Sequence, residues 1–206
     1  MTREYRPVAD VITFRRSVRK FAPDPVGPAL VRELVRLACR APAPHHSRPW
    51  RFAYVATPAA RERLADAMGE AWLDDLAAEK RSVHEVQKLI TRSRAQVMDA
   101  PALLVACLAL DESRTWPDER RRLAERDMFV QSLGAALQNL LLAAVERDLV
   151  GYLKGAPLYC GDAIREALDL PDGWQPAFLV LLGYPAPGFE PPPRDEPDLG
   201  QLLVER

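Results

Sequence analysis

The feature that most restricts the fold is an apolar segment from about Arg122 to Asp148, which predicts the longest helix of the chain. Its apolar residues recur at helical spacing but occupy several faces of the helix. They are Phe129, Val130, Leu133, Ala136, Leu137, Leu140, Leu141, Ala144 and Val145. The same segment carries polar side chains that are unfavourable in a bilayer, at Gln131, Ser132, Gln138 and Asn139. We therefore expect a helix buried on most sides, in a protein core or across an interface between two chains.

The rest of the hydrophobic pattern predicts helices and short strands in irregular alternation. Helical spacing predicts helices over 7–15, 28–40, 58–79, 83–97 and 162–168. Apolar and β-branched runs predict strands over 51–57, 101–110, 149–153 and 176–184. Because there is neither a regular β-α-β rhythm nor a GxGxxG turn, we expect an α+β sheet flanked by helices. Residues 1–206 suit a single domain, since no linker or repeat divides them.

The composition argues against several classes of function. A formal net charge of -1 gives the chain no general attraction for nucleic acid or acidic membranes. No stretch has the length and apolar composition of a membrane span or the pattern of a signal peptide, so we expect a cytoplasmic protein. Three widely spaced cysteines, Cys39, Cys107 and Cys160, argue against a disulfide framework or a zinc ribbon. We predict no metal site.

A cluster of cations follows the first predicted helix. Arg15, Arg16, Ser17, Val18, Arg19 and Lys20 place four cations and one hydroxyl in six residues. Guanidinium groups bind phosphate oxygens in a bidentate manner, so the cluster can form an anion site. Alternatively, cations at the C-terminus of a helix are stabilised by the helix dipole alone. The cluster by itself does not decide between these two interpretations.

A second unusual segment, APAPHHSRPW, is a loop stiffened by Pro42, Pro44 and Pro49 that runs directly into a predicted strand. Rigid loops position binding groups well. Adjacent histidines usually project in different directions, so His45 and His46 are poor metal ligands. They are better candidates for hydrogen bonding to a ligand, although a plain surface pair is also compatible with the pattern.

Taken together, RRSVRKF and APAPHHSRPWRF resemble the nitroreductase family in content and spacing. The resemblance continues through the strand that begins at Pro101, the QSLGAALQNLLLAA helix, the DLVGYL segment, and the GYP strand end with its Pro-rich tail. Within the family, the chain looks most like the C-terminal FMN reductase domain of the bifunctional coenzyme F-420 gamma-glutamyl ligase. This resemblance implies a mixed, largely antiparallel sheet flanked by helices, bound FMN, and a homodimer with a long central helix.

The resemblance also assigns roles to the basic residues. Arg15 and Ser17 match positions that contact the FMN phosphate and ribityl chain, with Arg16 beside them, and Arg194 would complete the phosphate site. Arg19 matches a cation near the pyrimidine edge of the flavin. Since reduction of the flavin increases negative charge at that edge, Arg19 is expected to act as an electrostatic tuner.

A loop also matches flavin contacts. Pro42, Ala43, Pro44 and His46 match a loop that reaches the flavin from the other subunit, where many relatives carry PSxxNxQPW. The departures from that pattern argue against a nitro compound as the substrate more than against FMN.

The third segment that contributes to the flavin site is a strand. Val150, Gly151 and Tyr152 match a stretch that lies against the flavin, where Tyr152 or Lys154 could face the cofactor. Gly151 is expected to permit a close approach of the backbone.

Because the flavin carries the chemistry in such enzymes, we assign no catalytic acid or base. The favoured function is an FMN-dependent oxidoreductase that passes hydride from NAD(P)H or a reduced deazaflavin to a conjugated or dehydro acceptor, with deazaflavin coenzyme biosynthesis as one setting. One alternative is a broad NAD(P)H-dependent nitro or quinone reductase. The other is a dimer that binds flavin without catalysis. In each case the partners are small molecules and a second copy of the chain, not nucleic acid or membrane.

Overall fold

A computed structural model describes residues 6–78 and 82–206, and this part of the chain contains seven α-helices and four β-strands. The helices are α1 Val8–Phe14, α2 Pro28–Ala38, α3 Pro58–Ala78, α4 Val83–Asp99, α5 Glu119–Glu146, α6 Gly161–Ala167 and α7 Leu199–Leu202. The strands are β1 Trp50–Tyr54, β2 Ala102–Ala109, β3 Val150–Lys154 and β4 Trp174–Gly183. The predicted α+β class is confirmed.

The four strands form one antiparallel sheet in the order β1-β2-β4-β3. All eight residues of β2 are buried, because helices cover the sheet on both sides. Ala102, Leu104, Ala106 and Leu108 pack with α2 and α5, and Leu103, Val105 and Cys107 pack on the other face with α3, α4 and α6. This two-sided burial explains why the segment reads as a continuous apolar run.

The longest predicted helix is α5, and its ends are set by local hydrogen bonds. It begins three residues before the predicted start because the Asp118 side chain caps it by accepting from the Arg121 N–H. At its C-terminus the Leu149 N–H donates to the Ala144 carbonyl and the Asp148 N–H to that of Val145. Asp148 adopts a left-handed conformation there, with φ of 61°, which turns the chain into β3.

Within one chain, α5 buries one face only. The expectation that this helix is buried on most sides is therefore wrong for the single chain. Leu123, Met128 and Val130 are 40–48% exposed, and Gln131 and Gln138 are also exposed. By length and hydropathy α5 is the one helix of the described residues that could span a membrane, but half of its apolar window is buried inside the protein. The sequence pattern reveals that a face is apolar, whereas the fold decides which faces are covered.

Several elements differ from the sequence-based expectations. Helix α4 extends two residues beyond the predicted Val97, and the predicted end of α3 at Glu79 lies outside the described residues. Helix α7 and two short 3-10 turns, Pro44–His46 and Ala156–Leu158, were not predicted. These elements are one or two turns long, too short for hydrophobic periodicity to register.

Gly151 is required by the sheet itself. It pairs with Leu182 of β4, and a Cβ at this position would lie 2.4 Å from the Leu181 carbonyl oxygen and 2.5 Å from the Leu182 Cδ2. The absence of a side chain at Gly151 therefore permits β3 to approach β4 closely.

We expect Gly151→Ala to lower the free energy of unfolding by about 1 to 3 kcal/mol, because the backbone oxygen of Leu181 cannot move away without disturbing β4. Gly173→Ala is the matched control, since a Cβ there meets nothing within 4 Å. Urea denaturation of both variants measures the difference. Equal stabilities would show that β3 can shift away from β4 at little cost.

Candidate functional site

The basic segment is held at the open edge of the sheet. Helix α1 ends at Phe14, and the chain from Arg15 onward is extended and runs beside the outer strand β3. Ser17 forms a parallel bridge with Gly151, and the Val18 N–H donates to the Gly151 carbonyl at 3.2 Å. The exposed residue Ser17 and the backbone of Gly151 are thereby brought together.

The C-terminal tail folds back over the same segment. The Arg16 Nε donates to the Pro192 carbonyl at 2.8 Å, and the Arg194 Nη2 donates to the Arg15 carbonyl at 3.3 Å. Arg16 also donates to the Thr13 carbonyl at the end of α1, so this arginine does serve the helix terminus. Arg15 and Arg194, which are 179 residues apart in the sequence, are thereby brought together.

Among the described residues, the cluster carries positive charge without a carboxylate paired to it. Within residues 6–78 and 82–206, no aspartate or glutamate forms an ion pair with Arg15, Arg16 or Arg194. Burial, and then the charges of Arg194 and Arg16, lowers the pKa of Arg15 from its ordinary value. Such an arrangement is stabilised by an anion, and guanidinium geometry suits phosphate.

Arg19 continues the site along β3. Its guanidinium lies over the Tyr152 ring, 5.2 Å from the ring centroid, and the Phe21 ring stacks against Tyr152 at 6.4 Å. Tyr152 is only 3% exposed, and its hydroxyl is buried without a hydrogen-bond partner in the described part of the chain. Burial raises the pKa of Tyr152, against the opposing effect of Arg19 and Arg92.

A cavity of about 530 Å³ opens beside Tyr152, between residues 19–21 and helix α4. Its polar lining consists of Arg19, Lys20, Arg92, Gln96 and Asp99, and Phe21 contributes an apolar wall. The volume lies within the range of small-molecule pockets. The cavity therefore offers an aromatic surface and several cations to a planar anionic ligand.

Lys154 lies two residues beyond Tyr152 on the same face of β3. Its Nζ donates to the Ser93 Oγ at 2.6 Å and to the Gln96 Oε1 at 3.0 Å, both on α4. The pKa of Lys154 is lowered to about 8, chiefly by burial, with Cys160 opposing this decrease and Arg92 contributing to it. The resemblance to the nitroreductase family named this lysine as a residue that could face the cofactor, but nothing in the sequence indicated its partners on α4.

The predicted His46 loop is held by different elements. The Ser47 N–H and Oγ both donate to the Pro44 carbonyl, and His45 and His46 have left-handed φ angles of 56° and 58°. Such conformations are unfavourable for residues other than glycine and concentrate at functional sites. Together with α5, the loop forms a groove of about 290 Å³, lined by Pro42, Ala43, Pro44, Met128, Gln131, Ser132 and Ala135.

A neighbouring loop, residues 110–118, supports this region and was missed by the sequence analysis. The Oε2 of Glu125, a residue only 3% exposed, accepts from the Arg114 N–H at 3.0 Å and from the Trp116 Nε1 at 2.9 Å. Arg114 in turn reaches the His45 Nδ1 at 3.1 Å. A buried carboxylate thus fixes the loop that contacts the histidine pair.

The predicted site residues consequently form two groups in one chain. Arg15, Arg16, Ser17 and Arg194 lie together with Gly151, and Arg19 joins Tyr152. The buried Val150 lies at the start of β3. The loop with Pro42, Ala43, Pro44 and His46 instead packs beside α5. The contacts given above for these residues lie within each group.

Comparison with known proteins identifies the family and the fold. A profile described as "Nitroreductase family" matches residues 12–184. The crystal structure of the nitroreductase-like family protein from Bacillus cereus has a TM-score of 0.77 and 23% identity, and the match covers 100% of this chain and 99% of that one.

Two relatives by sequence are an NADH dehydrogenase of Thermus thermophilus and an iodotyrosine deiodinase of Nematostella vectensis. The first is 28% identical, with 87% of this chain and 89% of the relative covered. The second is 24% identical, with 92% and 71% covered. Since the family profile spans most of the sequence, the chain belongs to the nitroreductase family, whose members are FMN-dependent oxidoreductases.

Proposed function

We propose that the chain binds FMN along the basic segment and works as a homodimeric reductase in the cytoplasm. The observation that carries this proposal is the cluster of Arg15, Arg16 and Arg194, to which the described residues give no carboxylate partner. A phosphate group supplies the missing negative charge and accepts several hydrogen bonds at once.

The residues present fit the whole cofactor. Arg15, Arg194 and the exposed hydroxyl of Ser17 suit the phosphate end. The cavity beside Arg19 and Tyr152 has an aromatic wall, and the buried Tyr152 hydroxyl there has no partner of its own. Bound FMN would supply hydride transfer, which moves two electrons and a proton from a donor to an acceptor, and the reduced flavin would carry additional negative charge.

The protein's own task is to hold and tune the flavin. Arg19 is a cation beside the cavity, so it stabilises the reduced flavin more than the oxidised flavin. The segment Val150, Gly151 and Tyr152 forms the backbone against which the flavin lies. No side chain needs to act as acid or base, because the cofactor performs the chemistry.

A homodimer explains the second group of residues. The exposed apolar side chain of Met128 lies on α5 and lines the groove between this helix and the His46 loop. Covering this face with the same face of a second copy removes apolar surface from water. In that arrangement Pro42, Ala43, Pro44 and His46 of one chain approach the flavin of the other.

The finer proposal concerns donor and acceptor. One relative is an NADH dehydrogenase, which supports NAD(P)H as the donor. A reduced deazaflavin is the alternative donor, suggested by the resemblance to the reductase domain of the F-420 ligase. The altered loop, with Ala43, Pro44, His46 and Arg48, favours a conjugated or dehydro acceptor, with deazaflavin coenzyme biosynthesis as its setting. A broad nitro or quinone reductase remains the second candidate, favoured by the family itself.

Loss of a phosphate-binding arginine is expected to weaken FMN binding. Because a hydrogen bond to a charged group is worth about 1.5 to 3 kcal/mol, Arg15→Ala and Arg194→Ala should each raise the dissociation constant by about tenfold to one hundredfold. Flavin fluorescence quenching in titrations of the apoprotein measures this constant. Arg120→Ala, which removes an exposed arginine at the start of α5, should bind like the unchanged protein. Unaltered affinity in both site variants would exclude the phosphate role.

The dimer is tested at α5. Light scattering is expected to give twice the 23.1 kDa chain mass. Met128→Asp should yield monomers that bind FMN weakly, because it puts a charge on the apolar face and separates the two groups of site residues. Val83→Asp adds the same charge at an exposed valine on α4 and should stay dimeric. A monomeric unchanged protein that binds FMN fully would rule out this arrangement.

The donor and acceptor are identified by anaerobic mixing of the FMN-loaded protein with NADPH, NADH and a reduced deazaflavin. We expect the flavin absorbance to bleach with one of these donors and to return when a dehydro-deazaflavin acceptor is added. Recovery with nitroaromatics or quinones alone would favour the broad reductase. A flavin that no donor reduces would identify the protein as a flavin-binding dimer without catalysis.

A further inference from the structure

Lys154 is a partly buried cation whose contribution to the site has not been assigned. Its side chain is held by two hydrogen bonds, and both go to one face of α4, at Ser93 and Gln96. Desolvation is unfavourable for an ammonium group, so its placement between β3 and α4 works against stability unless something compensates.

Lys154 lies on the same face of β3 as Tyr152, which lines the candidate flavin cavity. Tyr152 and Lys154 pair with Leu181 and Leu179 of β4, and both leucines lie in the core cluster on the α3 and α4 side of the sheet. Lys154 therefore leaves the sheet on the same side as the ring that Arg19 covers.

Two residues of α4 connect Lys154 directly to that cavity. Gln96 lines the cavity and also accepts the hydrogen bond from Lys154. Arg92 lines it as well, and its charge acts on both Tyr152 and Lys154. The ammonium is thus one side chain away from the space that the flavin is proposed to occupy.

We propose that Lys154 is an electrostatic positioning residue of this site, whose ammonium, held by Ser93 and Gln96, stabilises the negative charge that the flavin gains on reduction. The inference rests on the proposed function, since it requires FMN in the cavity. It gives a role to a partly buried cation, because a preorganised cation contributes more to a charge that appears during the reaction than to the resting state.

The charge of Lys154 depends on pH in a range that can be measured. Burial lowers its pKa to about 8, so the ammonium persists below that pH and is lost as the pH rises through it. The groups that face it are Arg92 from α4 and Cys160 from the segment before α6, with Arg19 and Asp99 farther along the cavity. The stabilisation of the reduced flavin is accordingly expected to be full at pH 7 and to decline above about 8.

The test compares FMN-loaded Lys154→Met, Lys154→Arg and Lys88→Met proteins. Lys88 is an exposed lysine on α4, so its variant removes the same charge from the helix that Lys154 contacts. Removing the Lys154 charge should weaken the binding of reduced relative to oxidised FMN by about tenfold, which lowers the two-electron midpoint potential by about 30 mV. Lys154→Arg and Lys88→Met should keep the potential of the unchanged protein.

Two further readings separate this role from a purely structural one. The difference in potential between the unchanged protein and Lys154→Met should be largest below about pH 8 and shrink above it. The apoprotein of Lys154→Met should be at least as stable at pH 7 as the unchanged apoprotein, because an apolar side chain removes the desolvation penalty of the ammonium.

A loss of stability in Lys154→Met with no change of potential would overturn the proposal and make the lysine a structural tie between β3 and α4. Failure of the unchanged apoprotein to bind FMN would instead contradict the proposed function itself. The two failures are distinguishable because binding of oxidised FMN is measured first, in the unchanged protein.

Discussion

The antiparallel pairing of β2 with β4 is the constraint on which the rest of the structure depends. Both strands are buried on two faces, so each face of the sheet must be covered by helices. One layer holds α2 and α5, and the other holds α3, α4 and α6. The outer position of β3 follows from its pairing with β4, and this leaves an open edge on which the basic segment can pair.

That open edge explains how charges distant in sequence become one site. The segment after α1 pairs with Gly151, the tail crosses it, and Arg15 and Arg194 meet without a balancing carboxylate among the described residues. The repulsion among the arginines opposes folding and favours binding of an anion. Lys154 is a second cation without full hydration, and its partly desolvated ammonium donates hydrogen bonds to two neutral side chains of α4.

Much of the secondary structure was predictable because it repeats along the chain. The apolar run that became β2 and the periodic segments that became α2 and α5 were identified from residue spacing alone. The basic cluster and its resemblance to the nitroreductase family were also visible in the sequence, and the family is confirmed. Prediction was weaker for α5, whose exposed residues Met128 and Val130 looked as apolar as its buried ones. Hydrophobicity measures a tendency to be buried, but the neighbour that does the burying lies elsewhere in the chain.

The sequence alone predicted the order of α1 to α6 and of the four strands, the position of the basic segment at the end of a helix, and the membership of the family. Each of these depends on residues close together in the chain or on a motif read as a whole. Only the tertiary structure decided that Glu125 anchors the loop beside His45, that Arg19 covers Tyr152, and that Lys154 is held by α4. The physical reason is that hydrogen bonds and charge interactions act over a few ångströms in space, and the packing of the sheet against its helices sets those distances.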